Sequence, residues 1–165
     1  MNAVFPGSFD PLTNGHLDII VRSSQIFDKV IVAVMTNTKK KSLFTANEKV
    51  DLISEAIFSL ANVEVVSVES DLTINLMHQL DAKIIIRSVR NNRDFEYEKD
   101  IALMNKELDE TVETVLMLAN PKYAHISSSL MKEIFKFDGD ISNMVPNHIK
   151  VAMLKKRHEV TSRED

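Results

Sequence analysis

A chain of 165 residues, 44% hydrophobic and 27% charged, has the size and composition of one globular unit with a sizeable core, which excludes a disordered or collagen-like chain. Its formal charge of −4 lacks any long run of one sign, and it contains no cysteine, so a basic nucleic-acid-binding stripe, a disulfide framework and a thiolate zinc site are excluded. The longest apolar run, residues 30–35, is far short of the roughly 20 residues of a membrane helix, and no signal-peptide pattern opens the chain. The expectation is a soluble, cytoplasmic protein that binds neither nucleic acid nor membrane.

Only three glycines and four prolines occur, well under the usual combined share of roughly 12%, which disfavours a turn-rich all-β architecture. Four of those seven residues, Pro6, Gly7, Pro11 and Gly15, crowd into one short stretch near the N-terminus.

Apolar runs rich in Val, Ile or Leu at residues 2–5, 30–35, 63–68, 83–86 and 113–118 predict five buried strands. The segments between them are long enough for crossovers, which implies parallel pairing. After the first strand, Leu17, Ile20, Val21, Ser24 and Phe27 show helical spacing. After the second, Ala46, Val50, Ile53, Ile57 and Leu60 share one face behind a capping box of Thr45 and Glu48. Farther on, Tyr97, Ile101, Met104 and Leu108 form a stripe expected to face the core, with Glu96, Lys99, Lys106 and Glu107 outside it. Residues 127–137 predict a helix broken by Gly139, and Pro146 can open a last helix running to about Lys156. Strand and helix alternate throughout, which predicts a single-domain α/β fold. It is a Rossmann-like doubly wound sheet of five parallel strands with helices on both faces and extra C-terminal helices. The domain is expected over residues 1–158, with 159–165 as a flexible tail.

In such sheets ligands sit beyond the carboxyl ends of the strands. There the first strand runs into Pro6-Gly7-Ser8-Phe9-Asp10-Pro11-Leu12-Thr13-Asn14-Gly15-His16 and then a helix. Free backbone amides and the positive end of a helix dipole suit an anion, Ser8 can add a hydroxyl, and His16 can project an imidazole from the first turn. Neither G-x-G-x-x-G nor G-x-x-x-x-G-K-[ST] is present, which disfavours a dehydrogenase or a P-loop NTPase. Arg87 follows Ile84-Ile85-Ile86, and Arg90 lies three residues on. A guanidinium fork suits phosphate oxygens, which makes Arg87 a candidate for a substrate phosphate and Arg90 for a nucleotide; the alternative is ion pairing with Asp94 or Glu98. Ser127, Ser128 and Ser129 stand at a helix start, where one serine can cap and the others remain free to donate. No pair of His, Asp or Glu stands out at metal-ligand spacing. His78 is assigned to a helix face, and His148 and His158 to the C-terminal helix and tail, rather than to a site.

Thr13-Asn14-Gly15-His16 resembles the T/H-x-G-H signature of the nucleotidylyltransferase superfamily. With residues 6–11 and Asp18 the stretch is similar to the phosphopantetheine adenylyltransferase family of coenzyme A synthesis. Ile86-Arg87-Ser88-Val89-Arg90, Asp94-Phe95-Glu96-Tyr97-Glu98, and Ile126-Ser127-Ser128-Ser129 with Lys132 and Glu133 resemble further motifs of that family in the same order. The resemblance covers residues 3 to about 155. Two positions depart from it: Ser88 stands where the family usually has glycine, and His125 where it has an aromatic residue.

The resemblance implies adenylyl transfer from ATP to phosphopantetheine, giving dephospho-coenzyme A and pyrophosphate by direct in-line attack. It implies His16, Lys40, Arg87 and Ser8 as the catalytic set. ATP contacts would come from Ser8, Phe9, His16, Ser88, Val89, Arg90, Glu98, Tyr123, Ala124, His125, Ile126, Ser127, Ser128 and Ser129. Substrate contacts would come from Ser8, Lys40, Thr73 and Arg87, although Thr73 could equally cap the next helix. The family further implies Mg2+ bound mainly through ATP phosphates, a homohexamer, and feedback binding of coenzyme A. The alternatives are an adenylyl- or cytidylyltransferase for another phosphorylated acceptor, and a nucleotide-binding sensor without catalysis.

Overall fold

A computed structural model describes residues 1–36, 42–69 and 72–161. Strands β1 (Asn2–Gly7), β2 (Lys29–Thr36), β3 (Val63–Glu69), β4 (Ile84–Val89) and β5 (Glu113–Leu118) alternate with helices α1 (Asn14–Ser24), α2 (Ala46–Ala56), α3 (Thr73–Gln79) and α4 (Asn92–Leu108). Helices α5 (Ser128–Lys136) and α6 (Asn147–Thr161) complete the chain. The strands pair in parallel in the order β3-β2-β1-β4-β5, a Rossmann-like arrangement.

Each face of the sheet carries its own apolar layer. On one, Phe5, Val32 and Ile86 pack with Ile19 and Ile20 of α1, Ile53 of α2, Met131 of α5 and Ile149 and Met153 of α6. On the other, Val4, Ile31 and Ile85 pack with Ile74 and Met77 of α3. Burial on both faces explains why the central strands are continuous apolar runs without alternation.

Strand order reverses between β1 and β4, and this reversal opens the site. β1 and β2 stay in register from Asn2↔Lys29 to Gly7↔Val34, whereas β1 and β4 pair only at Ala3↔Ile84 and Val4↔Ile85. Beyond those pairs the two strands part, and Pro6, which has no N–H to donate, occupies β1 just where its ladder to β4 has ended. Crossovers leaving in opposite directions expose a crevice at such a point.

The structure corrects several expectations. β3 and β5 are edge strands and only partly buried. β4 continues to Val89, so Arg87 and Ser88 are strand residues paired with Leu116 and Met117, and Ser88 is extended rather than held at positive φ. α2 ends at Ala56, which leaves Ile57 at its C-cap and Leu60 beyond it. α6 passes Lys156 and reaches Thr161; Arg157 anchors it by stacking on the Phe135 ring at 3.8 Å and donating to the Phe135 carbonyl at 2.6 Å. Leu72, not Thr73, takes the cap position of α3.

The largest departure is α4. Of its expected core stripe, Tyr97, Met104 and Leu108 are all more than half exposed and Ile101 is only partly buried, while Glu98 and Asn105 are buried. Glu98 is instead turned to the sheet, where an arginine of β4, described below, pairs with it. The capping box of α2 forms as expected: the Glu48 amide donates to Thr45 Oγ1 at 3.3 Å and the Thr45 amide to Glu48 Oε2 at 2.7 Å. Thr45→Ala is therefore expected to cost about 1 kcal/mol, seen as a lower urea midpoint with an unchanged denaturant slope.

Candidate active site

Residues 8–13 join β1 to α1 and turn back over the end of the sheet. Phe9 adopts φ 43°, a left-handed conformation uncommon for a residue with a side chain. Its ring stands edge-on to Phe5 at 5.4 Å and to His16 at 5.1 Å. Gly7 makes room for it, since a Cβ there would lie 3.0 Å from Phe9 Cζ. Gly7→Ala is expected to push this ring against His16 and lower kcat about tenfold, because displacements below 1 Å already degrade transition-state alignment; steady-state kinetics on the folded variant checks it.

Thr13 is both the N-cap of α1 and the partner of the histidine. Its Oγ1 accepts from the His16 amide at 3.3 Å, and its own amide donates to His16 Nδ1 at 3.1 Å. A backbone N–H can only donate, so Nδ1 must accept, and the ring proton of the neutral imidazole resides on Nε2. Burial, aided by the Arg90 charge, lowers the His16 pKa from 6.5 to about 4. The ring is thus neutral at pH 7.

That shift has a consequence for stability. Between pH 6.5 and about 4 the unfolded chain takes up a proton at His16 that the folded chain refuses. Stability from this group is therefore full above pH 6.5 and falls with pH through that window, by at most about 3 kcal/mol. Urea midpoints at pH 7 and pH 4.5 are expected to differ less in His16→Gln than in the wild type.

Arg87 enters the crevice from β4. Its Nε and Nη2 each donate to Glu98 at 2.7 Å, and its Nη1 donates to the Pro6 carbonyl at 3.1 Å. The fork thus bridges the gap where β1 and β4 separate. Arg90 makes a second pair, donating from Nε to Asp94 at 2.7 Å; hydrogen bonding from Arg90 holds the Asp94 carboxyl below its usual range. Both alternatives raised for the arginines are realised; Arg87 and Glu98 pair within the crevice, whereas the Arg90–Asp94 pair is more exposed. Across from them, Ser127 caps α5 by accepting from the Leu130 amide at 3.1 Å, and Ser128 Oγ donates to the Pro11 carbonyl at 3.0 Å.

These groups surround a cleft of about 260 Å³. Of the expected residues, Phe9, His16, Arg87, Ser88, Arg90, Glu98, Tyr123, Ile126, Ser127 and Ser128 line it. Ser8, His125 and Ser129 are exposed and Val89 is buried; none of these four nor Ala124 lines the cleft. Lys40 lies outside the described residues. Thr73 lines an adjoining cavity of about 200 Å³ with Pro6, Ile85, Arg87, Tyr97, Ile101 and Asn105. Pro6 and Arg87 border both spaces.

Sequence reasoning missed Phe5, Pro6, Gly7, Thr13, Gly15 and Ala119 as lining residues of the cleft, and Pro6, Ile85, Tyr97, Ile101 and Asn105 in the second cavity. Thr13 and Gly15 were inside the quoted motif, and Ala119 follows a strand end, so position alone could have found them. Asn105 had no signal of its own, since no quoted motif contains it, although it lies one turn beyond Ile101.

Among the described residues no three His, Cys, Asp or Glu side chains come close enough together to hold a metal ion. The cleft's lining carboxylate, Glu98, is engaged by both arms of Arg87. Arginine forks, hydroxyls and an imidazole N–H are phosphate-binding chemistry rather than metal-ligand chemistry.

A parallel α/β sheet whose switch point opens a cleft lined by arginines, hydroxyls and a histidine on the first helical turn is the arrangement of the nucleotidyl-transfer class. A family model described as cytidylyltransferase-like matches residues 4–134. A solved structure assigned as a nicotinate-nucleotide adenylyltransferase from Vibrio parahaemolyticus shares the fold with a TM-score of 0.71 at 18% identity, over 93% of this chain and 91% of that one. The phosphopantetheine adenylyltransferase of Lactiplantibacillus plantarum is 50% identical over 96% of this chain and 94% of its own length. That of Lactobacillus acidophilus is 46% identical over 95% and 98%. The chain belongs to the phosphopantetheine adenylyltransferase family.

Proposed function

We propose that this protein transfers the adenylyl group of ATP to phosphopantetheine, releasing pyrophosphate and forming dephospho-coenzyme A. The observation that carries the reading is Arg87 at the border of two cavities. One of them, lined by His16, Arg90 and the serine cap, suits a nucleoside triphosphate. The other, lined by Thr73, Tyr97, Ile101 and Asn105, suits a slender acceptor arm. A phosphate held at Arg87 stands between them.

In the reaction a phosphate oxygen of phosphopantetheine bonds to the α-phosphorus of ATP as the bond from that phosphorus to the bridging oxygen breaks. The electron pair leaves with pyrophosphate. The nucleophile is already an anion at pH 7, so no proton need be removed and no covalent intermediate is required. His16 could not act as a base in any case, because Nδ1 is engaged by the Thr13 amide and Nε2 carries the proton. It serves instead as a neutral donor to an α-phosphate oxygen, and gains strength as charge builds there. Lys40, Arg87 and Ser8 complete the charge stabilisation, and positioning supplies the rest. Magnesium arrives with ATP, bound mainly to its phosphates and water.

The proposal extends to assembly, regulation and place. The exposed apolar residues of α4, Tyr97, Leu103 and Met104, each about 60% exposed, support a protomer interface, as the proposed homohexamer requires. Leu103→Glu is expected to lower the solution mass seen by light scattering; an unchanged mass removes α4 from the interface. Coenzyme A, which combines the adenylate and pantetheine moieties, would span both cavities as a feedback ligand. The cytoplasm is the proposed location; among the described residues no helix is long and apolar enough to cross a membrane.

Pyrophosphate release from ATP with a panel of acceptors tests the function. The reading expects turnover with phosphopantetheine. Preference for another phosphorylated acceptor would make the chain a different nucleotidyltransferase, and no release with any acceptor would leave a nucleotide-binding sensor.

A further inference from the structure

Asp10 is a buried carboxylate for which the chemistry above has no use. It is 5% exposed, and both of its oxygens are engaged. Oδ2 accepts from the Leu43 amide at 2.9 Å and the Lys132 ammonium at 3.2 Å. Oδ1 accepts from the Phe44 amide at 3.0 Å and faces the Lys49 ammonium at 3.7 Å. Lys49, itself 3% exposed, also donates to Ser42 Oγ at 3.3 Å. Burial works to raise the Asp10 pKa, but the two amides and two ammonium groups outweigh it and hold the carboxyl below its usual range.

One side chain therefore joins four pieces of the chain: the histidine loop, residues 42–44, α2 through Lys49 and α5 through Lys132. Its neighbours in sequence are the residues that touch the site. Phe9 lies against the His16 ring at 5.1 Å, and the Pro11 carbonyl accepts from Ser128 at 3.0 Å. Because Phe9 sits at positive φ, the loop is not in a conformation that it would choose unaided, and fixed partners must hold it.

We propose that Asp10 is the positioning residue of the transfer site: its charge fastens the histidine loop to α2 and α5, and thereby sets the His16 ring relative to the serine cap. This rests on the nucleotidyl-transfer reading of the cleft. The alternative is that the cluster only stabilises the fold.

Asp10→Asn places an amide NH2 against amide and ammonium donors, and is expected to lower kcat about 100-fold, the scale of a misplacement near 1 Å. That variant carries a folding risk, since it leaves Lys49 buried without its counter-charge. Lys132 is 38% exposed on its side chain and provides the milder variants. In Lys132→Met, assayed well below its melting midpoint, kcat should fall about tenfold with the KM for ATP within about twofold, and the His16 ring NMR signals should shift. Lys132→Arg should restore both. A folded Lys132→Met with wild-type kcat and unshifted His16 signals overturns the proposal, as does a kcat loss without any ring shift. If the wild type itself releases no pyrophosphate with any acceptor, the transfer reading fails, and the ring signals alone decide whether the cluster positions His16.

Discussion

His16→Ala is expected to lower kcat by about 100- to 1,000-fold, the cost of removing one preorganised donor from a site where transition-state charge develops. The KM for each substrate should change little, because the Nε2–H contact strengthens only as charge moves onto the α-phosphate. Stability should fall by about 1–2 kcal/mol, since the Thr13 amide, on a residue 2% exposed, loses the Nδ1 acceptor. His16→Asn separates the two effects: its side-chain oxygen can still accept from Thr13 and keep the cap, while the imidazole N–H is absent. Steady-state pyrophosphate release and urea melts on both variants provide the measurement. Wild-type turnover in a folded His16→Ala would rule out the catalytic role.

Arg87→Ala should act differently, on acceptor binding and on the sheet together. The KM for phosphopantetheine is expected to rise about 100-fold, in line with losing a charge-assisted fork of roughly 1.5–3 kcal/mol. The KM for ATP should move far less, because Arg90 and the serine cap remain. Stability is expected to drop by about 2–4 kcal/mol: Glu98 is only 8% exposed and would lose its ion-pair partner, and the bridge to Pro6 across the parted strands would be gone. The double variant Arg87→Ala/Glu98→Gln should recover much of the stability and none of the acceptor binding. Recovery of both, or an unchanged acceptor KM in the single variant, would show that Arg87 is a structural strut alone.

The two variants differ because the side chains were placed by different means. His16 is held by its own helix cap, three residues away in sequence, so its location at a strand end could be read from Thr13-Asn14-Gly15-His16. The capping of Thr45 by Glu48 and of α5 by Ser127 was legible for the same reason: the partners lie within one turn. Arg87 and Glu98 were both singled out by motif, and their ion pair was foreseen as one option. What could not be foreseen was that Arg87 would also reach across to Pro6, and that α4 would bury Glu98 and Asn105 while most of its apolar stripe stayed exposed.

The amino-acid sequence by itself determined the alternation of strand and helix, the parallel α/β class, the histidine loop and the caps, because each of these depends on periodicity or on contacts between residues close along the chain. Only the tertiary structure decided that β1 and β4 part after two residue pairs, that Asp10 gathers two lysines and two amides, and that Arg87 borders two cavities. Those features depend on charges and strand edges brought together from positions up to 122 residues apart, as Asp10 and Lys132 are. Local spacing carries no signal of a buried charge whose partner lies that far along the chain.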